Sequence, residues 1–203
     1  MTQRLPRLPR SISSSEVGSA TPIVGIDVET ASPARGAICS IGVSLVRRGD
    51  VLRERHWYLD PRTRFDPRFI GIHGITAAQV AGAPHLREAW SEIDAFLSSA
   101  IAELAEPTLF GASAPAPIPL FVAHNAQFDR MQIESALGRA LPFPIACTVA
   151  MSRRAFPDLA RHNLAAVSSH LRIALKHHDA LSDARASALI AHRCIAMRDR
   201  GGR

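Results

Sequence analysis

The stretch IVGIDVET, residues 23–30, decides the fold of this chain. It is short and rich in β-branched residues, which predicts a strand, yet two carboxylates interrupt its apolar run. Successive side chains of a strand point to opposite faces, so Asp27 and Glu29 leave the same face. Two carboxylates on one face of a buried strand repel each other unless cations lie between them. A purely structural alternative has Glu29 in solvent at the strand end and Asp27 capping a neighbouring backbone.

Two further strands follow and are predicted to pair with the first. Residues 38–46 alternate apolar with small or polar side chains, and residues 51–59 come after the turn pair Gly49-Asp50. Three sequential strands with short links imply an antiparallel meander. Residues 120–123 and 145–150 predict a fourth and a fifth strand, separated by a helix. This order predicts a mixed α/β sheet covered by helices.

Helical patterns account for most of the remaining chain. Thr76 and Gln79 have the spacing of a capping box, which predicts a short helix there. Apolar residues at helical spacing predict a longer helix over residues 86–101. Further helices are predicted at residues 130–140, around residues 164–171 and around residues 181–195.

The composition of the 203-residue chain favours one folded domain. With 47% hydrophobic and 21% charged residues, a packed core is feasible and wholesale disorder is excluded. No stretch approaches about 18 uninterrupted apolar residues, so we expect no membrane span. The net charge is +6 and Lys176 is the one lysine. An arginine-rich positive charge fits a polyanionic partner, and the alternative explanation is a genome with a bias toward arginine codons. The three cysteines are scattered singly, which favours a reducing, cytoplasmic setting.

The two ends of the chain are predicted to lie outside the domain. Residues 1–21 are rich in Arg, Pro and Ser and are expected to form a flexible basic tail. The folded domain is expected over residues 22–197, followed by a short basic tail at residues 198–203. Within the domain, residues 106–119 carry four prolines and predict a surface loop.

Two further polar clusters follow the strands. HNAQFD, residues 124–129, comes at the C-terminal end of the fourth strand, where open α/β sheets place their ligands. HHDALSDA, residues 177–184, places Asp183 in the first turns of the last helix. Each cluster also has an ordinary explanation: Asp129 as a helix N-cap, Asp183 as a partner of the helix dipole, and Phe128 as a core residue.

Taken together, the acidic residues of the three segments indicate a metal site. They are Asp27, Glu29, Asp129 and Asp183. The predicted sheet can bring these distant segments to one edge, and oxygen-only ligands suit Mg²⁺ or Mn²⁺. The histidine at position 178 supplies a base of suitable pKa. This set of groups fits two-metal phosphoryl hydrolysis, in which His178 takes the proton from the attacking water.

The order and spacing of these motifs resemble the DnaQ-like, DEDDh class of 3′–5′ exonucleases, in the branch similar to the proofreading epsilon subunit of bacterial DNA polymerase III. The motifs that carry the resemblance are DVET (27–30), HNAQFD (124–129) and HDALSDA (178–184). It extends through ICSIGV (38–43), IHGIT (72–76), CT (147–148) and HNLAAV (162–167). The resemblance therefore covers about residues 22–195, and its strength lies in the combination of motifs.

The resemblance implies an RNase H-like mixed five-stranded sheet and a nuclease that releases nucleoside monophosphates. It implies two divalent cations, Mg²⁺ or Mn²⁺, on the four carboxylates, with His178 as general base. It further implies that the pocket for the 3′-terminal nucleotide is lined by Thr30, His73, Ile75, Asn125 and Phe128. No role is implied for His177 or Asp179. Many relatives read DTETTG at the first motif, whereas Ala31-Ser32-Pro33 follow here, which leaves substrate preference open.

The sequence leaves two questions of function open. Single-stranded DNA 3′ ends are the preferred substrate because of the branch resembled, and RNA ends are the alternative, since a metal site reads phosphate and not sugar. A DNA polymerase is a candidate partner. A vestigial nucleic-acid-binding module is a further alternative, but it would be expected to lose an acidic ligand or the histidine. The arginines near the motifs that are candidates to follow the substrate strand are Arg35, Arg130, Arg153, Arg154 and Arg161.

Overall fold

The computed structural model describes residues 17–105 and 116–201, and within these ranges it contains five strands and six helices. The strands are β1 (Ile23–Thr30), β2 (Ile38–Arg47), β3 (Asp50–Tyr58), β4 (Leu120–Ala123) and β5 (Ala146–Cys147). The helices are α1 (Pro67–His73), α2 (Leu86–Ala102), α3 (Ala126–Leu137), α4 (Thr148–Ala155), α5 (Leu164–Leu171) and α6 (Ala180–Gly201).

The strands form one mixed sheet in the order β3-β2-β1-β4-β5. β1, β2 and β3 are antiparallel neighbours, whereas β4 pairs parallel to both β1 and β5. The turn between β2 and β3 is tight because Arg48 and Gly49 both have a positive φ, the geometry that matches the twist of a hairpin. The predicted fold class, a five-stranded mixed sheet whose first three strands form a meander, is confirmed.

The two faces of β1 are covered by different helices. Val24, Ile26 and Val28 point into a core shared with α2 and α3. On the other face, Gly25 of β1 and Gly42 of β2, which pairs with Asp27, lie directly under α6. A Cβ atom at either glycine would collide with the α6 backbone, because the Ala184 and Ala180 carbonyl groups occupy that space. These two glycines therefore let α6 approach the sheet closely.

The helix predicted at Thr76 is wrong. Thr76 and Gln79 make only part of a capping box: the Thr76 N–H and Thr76 Oγ1 both donate to Gln79 Oε1, at 2.8 Å and 3.1 Å, while the Gln79 N–H donates to the Thr76 carbonyl oxygen. The segment is a turn and not a helix. Gly82, with a positive φ, ends it too soon for a helix to form. The helix of this region is α1, whose signal is Asp66-Pro67: Asp66 is the N-cap and Pro67 the first helical residue.

Two predictions after β4 also need correction. α3 begins at Ala126, not at residue 130, so Asp129 lies inside its first turn and Asn125 holds the N-cap position. The strand predicted at residues 145–150 has only the two residues of β5. It ends there because β4, its partner, ends at Ala123, and the chain continues as α4.

The boundaries predicted for the two tails differ from the structure where it describes them. Val17 is buried among residues of β1, β4 and α6, so the folded part begins before residue 21. α6 continues to Gly201, so the basic residues Arg198 and Arg200 belong to its last turns. Residues 1–16 and 202–203 lie outside the described residues, as does most of the predicted proline-rich loop, residues 106–115. None of the described helices combines the length and the apolar character needed to cross a membrane.

The close approach of α6 predicts an asymmetry between two glycine-to-alanine substitutions. Gly25→Ala should lower the free energy of unfolding by about 1–3 kcal/mol or more, because the added methyl group overlaps the backbone of α6. Gly71→Ala in α1, where nothing lies within 4 Å, should be neutral or stabilising by up to about 1 kcal/mol. Urea denaturation of both variants is the test. A Gly25→Ala variant as stable as the parent would contradict the close packing.

Candidate active site

Three carboxylates from β1 and α6 converge above the sheet. Asp27 and Glu29 lie on the α6 face of β1, on the same side as Gly25. Asp183 lies in the first turn of α6. One carboxylate oxygen from each of the three lies within 4.8 Å of the others. The convergence follows from the glycine packing, because α6 can bring Asp183 this close only where the strand carries no side chain.

Asp129 joins the cluster from α3. Asn125, two residues after the end of β4, adopts a left-handed conformation with φ 71°, and this turns the chain into α3. The Val28 N–H, between Asp27 and Glu29 on β1, donates a hydrogen bond of 3.2 Å to Asp129 Oδ1. Asp129 is therefore fixed beside the two β1 carboxylates, and its side chain is not an N-cap.

The electrostatics of the cluster oppose ionisation of its members. Burial, followed by the repulsion of Asp129 and Asp183, raises the pKa of Asp27 well above its usual range. Burial and the neighbouring carboxylates raise the pKa of Glu29 to about 8, and burial raises the pKa of Asp129 to about 7. Burial also raises the pKa of Asp183, although the hydrogen bond from His177 opposes the change. The four carboxylates therefore lie close together without a cationic group among them that would balance their negative charge.

The chemistry of the cluster fits a hard divalent cation. Asp183 Oδ1 is buried and has no hydrogen-bond partner within the described ranges. A buried carboxylate oxygen without a partner is costly, and a cation would satisfy it. The surrounding donors are carboxylate oxygens, the ligand type that Mg²⁺ and Mn²⁺ prefer.

The loop before α6 places two histidines beside Asp183. The His178 N–H donates to Asp183 Oδ2 at 3.1 Å, and His178 itself has φ 66°. His177 Nδ1 lies 3.0 Å from the same Oδ2 atom, and the two imidazole rings stack with centroids 3.9 Å apart. The resemblance implied no role for His177, so this contact is a finding that the sequence did not predict.

Asp179 has a structural place at the start of α6. Its Oδ1 accepts a hydrogen bond from the Ser182 N–H at 3.1 Å, in the manner of a helix N-cap. Its Oδ2 lies 3.0 Å from the Lys176 ammonium group. Asp179 therefore helps to fix the loop that carries both histidines, and it contributes to the repulsion that raises the pKa of Asp27 and of Glu29.

Three of the residues predicted to contact the terminal nucleotide are linked at the end of β1. His73 Nε2 lies 3.1 Å from the Thr30 carbonyl oxygen, and His73 Nδ1 accepts a hydrogen bond from the Ile75 N–H. His73 and Ile75 line a cavity of about 450 Å³ that also reaches His178. The cavity therefore lies between the IHGIT segment and the loop that carries the histidines.

The other two predicted contact residues lie at the start of α3. Asn125 is exposed and makes no capping hydrogen bond with its side chain. Phe128 is 39% exposed, so its composition-based assignment to the core is wrong. Neither residue is among those that line the cavity beside His73; both lie at the start of α3, near Asp129 in the chain.

A partly buried hydrogen-bond network joins the HNAQFD, CT and HNLAAV motifs. His124 Nδ1 lies 2.9 Å from Thr148 Oγ1, and His124 Nε2 lies 2.9 Å from the His162 carbonyl oxygen. The His162 ring in turn contacts Ser152 Oγ at 3.0 Å. Burial lowers the pKa of His124 to about 4, so its ring is neutral near pH 7. The network joins the end of β4 to α4 and to the start of α5, and it holds the turn that leads to Asp129.

Comparison with known sequences matches this chain to an exonuclease family. Residues 24–110 match the RNase_T exonuclease family. The PolC-type DNA polymerase III of Clostridium perfringens is 29% identical over 173 residues, which are 82% of this chain and 11% of that polymerase. The corresponding polymerase of Thermotoga maritima is 27% identical over 190 residues, 90% of this chain and 12% of the polymerase. The chain thus spans about a tenth of the length of these curated relatives.

Comparison with solved structures shows the fold. Exonuclease X in complex with 5′ overhanging duplex DNA aligns with a TM-score of 0.58 and 21% identity over 88% of this chain and 93% of that chain. A 3′-exonuclease that recognises a histone mRNA stem-loop aligns with a TM-score of 0.66 and 15% identity over 89% of this chain and 66% of that chain. The RNase H-like fold class is confirmed.

The match to the RNase_T exonuclease family covers residues 24–110 of the 203-residue chain. The DnaQ-like resemblance predicted from the motifs is confirmed as a likeness to that exonuclease family, to PolC-type DNA polymerase III and to solved exonucleases.

The raised pKa of Glu29 predicts a pH-dependent stability in the presence of a chelator. A carboxyl whose pKa rises on folding stabilises the protein fully below its unfolded pKa, near 4.5, and this contribution is lost as the pH rises to about 8. The free energy of unfolding should therefore fall more steeply over this range in the parent than in Glu29→Gln. Glu103→Gln, at an exposed glutamate, controls for the loss of one charge. Equal slopes for parent and Glu29→Gln would contradict the assigned electrostatics.

Proposed function

We propose that this chain is a metal-dependent 3′–5′ exonuclease of the DEDDh type that hydrolyses single-stranded DNA ends to nucleoside monophosphates. The observation that carries the proposal is the cluster of Asp27, Glu29, Asp129 and Asp183, with an unpartnered buried oxygen of Asp183 and with His178 at its margin. The intact set of acidic residues favours an active enzyme over a vestigial binding module, which is the alternative. The catalytic domain is proposed to comprise the predicted residues 22–197 together with the buried Val17 and the last turn of α6.

The four carboxylates are the proposed ligands of two divalent cations, Mg²⁺ or Mn²⁺. Bound cations would activate a water molecule and neutralise charge that develops on the scissile phosphate. The raised pKa values of Asp27 and Glu29 support this assignment, because a cation favours the ionised form that burial and repulsion disfavour. The hydrogen bond from the Val28 N–H would keep Asp129 oriented toward the same point.

His178 is the proposed general base, which takes a proton from the attacking water. Burial and the neighbouring His177 lower its pKa, so the ring is neutral near pH 7 and can accept a proton. Its backbone is anchored to Asp183 while its side chain is exposed at the margin of the cluster. His177 shares the same carboxylate oxygen and would orient Asp183.

The terminal nucleotide is proposed to bind against two walls. Thr30, His73 and Ile75, joined by hydrogen bonds, would form one wall beside the cavity of about 450 Å³. Asn125 and the half-exposed ring of Phe128 would form the other, where an exposed aromatic face can stack on a base.

DNA is the proposed substrate because the curated relatives are DNA polymerases, and a DNA polymerase is the proposed partner. RNA ends are the second candidate. One structural neighbour recognises a histone mRNA stem-loop and another is bound to duplex DNA, so the fold serves both nucleic acids. A cluster that reads phosphate does not by itself distinguish the two sugars.

Purified protein with 5′-labelled single-stranded DNA and RNA of one sequence tests this proposal. In Mg²⁺ or Mn²⁺ we expect a ladder that shortens from the 3′ end, faster on DNA, and abolished by EDTA and by Asp27→Ala. His178→Ala should lower the rate at least about 100-fold, since general-base catalysis contributes that much or more. His170→Ala, at an exposed histidine on α5, is the matched control and should retain the parent rate.

Three outcomes would contradict the proposal in whole or in part. Failure of the folded parent to cleave either strand in the presence of cation would favour the binding module. Metal-dependent cleavage by Asp27→Ala at the parent rate would remove Asp27 from the ligand set. Faster cleavage of RNA than of DNA would replace the proposed substrate while leaving the chemistry in place.

A further inference from the structure

We propose that a cavity between the β1–β2 loop, the start of α2 and the end of α3 binds an upstream phosphate of the substrate strand. This inference rests on the proposed function, because it concerns the path of the same nucleic acid. The cavity has a volume of about 280 Å³ and is lined by Arg35, Arg87, His85, Thr63 and Ser135, among others. It lies apart from the cavity beside His73 and shares no residue with it.

The polar side chains of this cavity suit an anion. Arg35 and Arg87 make no ion pair with a carboxylate in the part of the chain that the structure describes, whereas Arg53, Arg55, Arg62, Arg130 and Arg185 each do. No acidic residue is among the described residues that line the cavity. Two unpaired guanidinium groups in one cavity favour a phosphate, for which arginine has the matching geometry.

The remaining polar groups add donors. His85 Nδ1 accepts a hydrogen bond from the Arg87 N–H at 3.2 Å, so a neutral His85 ring carries its proton on Nε2 and can donate from there. The hydroxyl groups of Thr63 and Ser135 can donate as well. This bond satisfies the Arg87 N–H in the first turn of α2. The proposed site therefore consists of side chains and does not use the free N–H groups of the helix terminus.

Two elements lead from the carboxylate cluster to this cavity. The β1–β2 loop leaves β1 at Thr30 and reaches the cavity at Arg35 and Gly36. α3 runs from Asp129 to Ala136, which is about 10 Å along the helix axis. Gln132 joins the two elements, because its Oε1 accepts a hydrogen bond of 2.6 Å from the Gly36 N–H. A strand whose 3′ end lies at the carboxylates can therefore place an upstream phosphate between the two arginines.

Binding of a 5′-fluorescein-labelled twelve-residue oligothymidylate in EDTA, followed by anisotropy at several salt concentrations, tests the inference. Arg35→Gln combined with Arg87→Gln should weaken binding roughly five- to tenfold at low salt. It should reduce the slope of log affinity against log salt by about 0.7, the value for one phosphate contact on a single strand. Arg193→Gln combined with Arg200→Gln, which removes two exposed arginines from α6, is the matched control and should bind as the parent does.

Hydrolysis of the p-nitrophenyl ester of thymidine 5′-monophosphate separates this inference from the proposed function. This one-nucleotide ester cannot reach the cavity, so the Arg35 and Arg87 double variant should cleave it at a rate within twofold of the parent rate. The KM of the same variant for the oligonucleotide should rise. Equal affinity and salt slope in parent and double variant would overturn the inference, as would a parent that does not bind the oligonucleotide. Weaker binding by the double variant, with no cleavage by the parent, would support the cavity and refute the proposed activity.

Discussion

The contact between α6 and the two glycines of the sheet governs the rest of this structure. Gly25 and Gly42 leave no side chain between β1–β2 and the helix, so the backbone of α6 rests on the strands themselves. Only at this distance does Asp183 meet Asp27 and Glu29, which leave β1 on the same face as Gly25. A larger side chain at either glycine would separate the carboxylates as well as the packing layers, so fold and site depend on one contact.

This arrangement gathers carboxylates where they are electrostatically unfavourable. Asp129 and Asp183 are almost fully buried. After burial itself, the charges of Asp129, Asp183 and Glu29 raise the pKa of Asp27. The hydrogen bonds from the Val28 N–H, the His178 N–H and His177 offset part of that cost. The unpartnered oxygen of Asp183 shows where compensation is incomplete. Buried, mutually repelling carboxylates are unfavourable for folding and are therefore expected at functional sites. A bound cation would neutralise their repulsion.

Much of the fold and of the carboxylate cluster could be predicted because the deciding signals are local. The two-residue spacing of Asp27 and Glu29 fixes their common face in any strand. The capping-box pattern at Thr76 led to a wrong prediction of a helix. The hydrogen bond from the Thr76 N–H to Gln79 Oε1 also forms in a turn, and Gly82 follows soon after with a positive φ. The end of β5 depends on where its partner β4 ends. This pairing is a tertiary interaction, so the local sequence of β5 does not predict it. Likewise, two adjacent histidines are equivalent in the sequence, and only the left-handed backbone at His178 brings the His177 ring against Asp183.

The central claim is that these four carboxylates hold divalent cations. The most direct measurement is an anomalous difference map from crystals soaked in Mn²⁺. We expect Mn²⁺ peaks bonded to carboxylate oxygens of Asp27 and Asp183, with Glu29 and Asp129 completing the coordination. A soaked crystal with the cluster intact and no anomalous peak within it would contradict the claim, as would peaks confined to other residues.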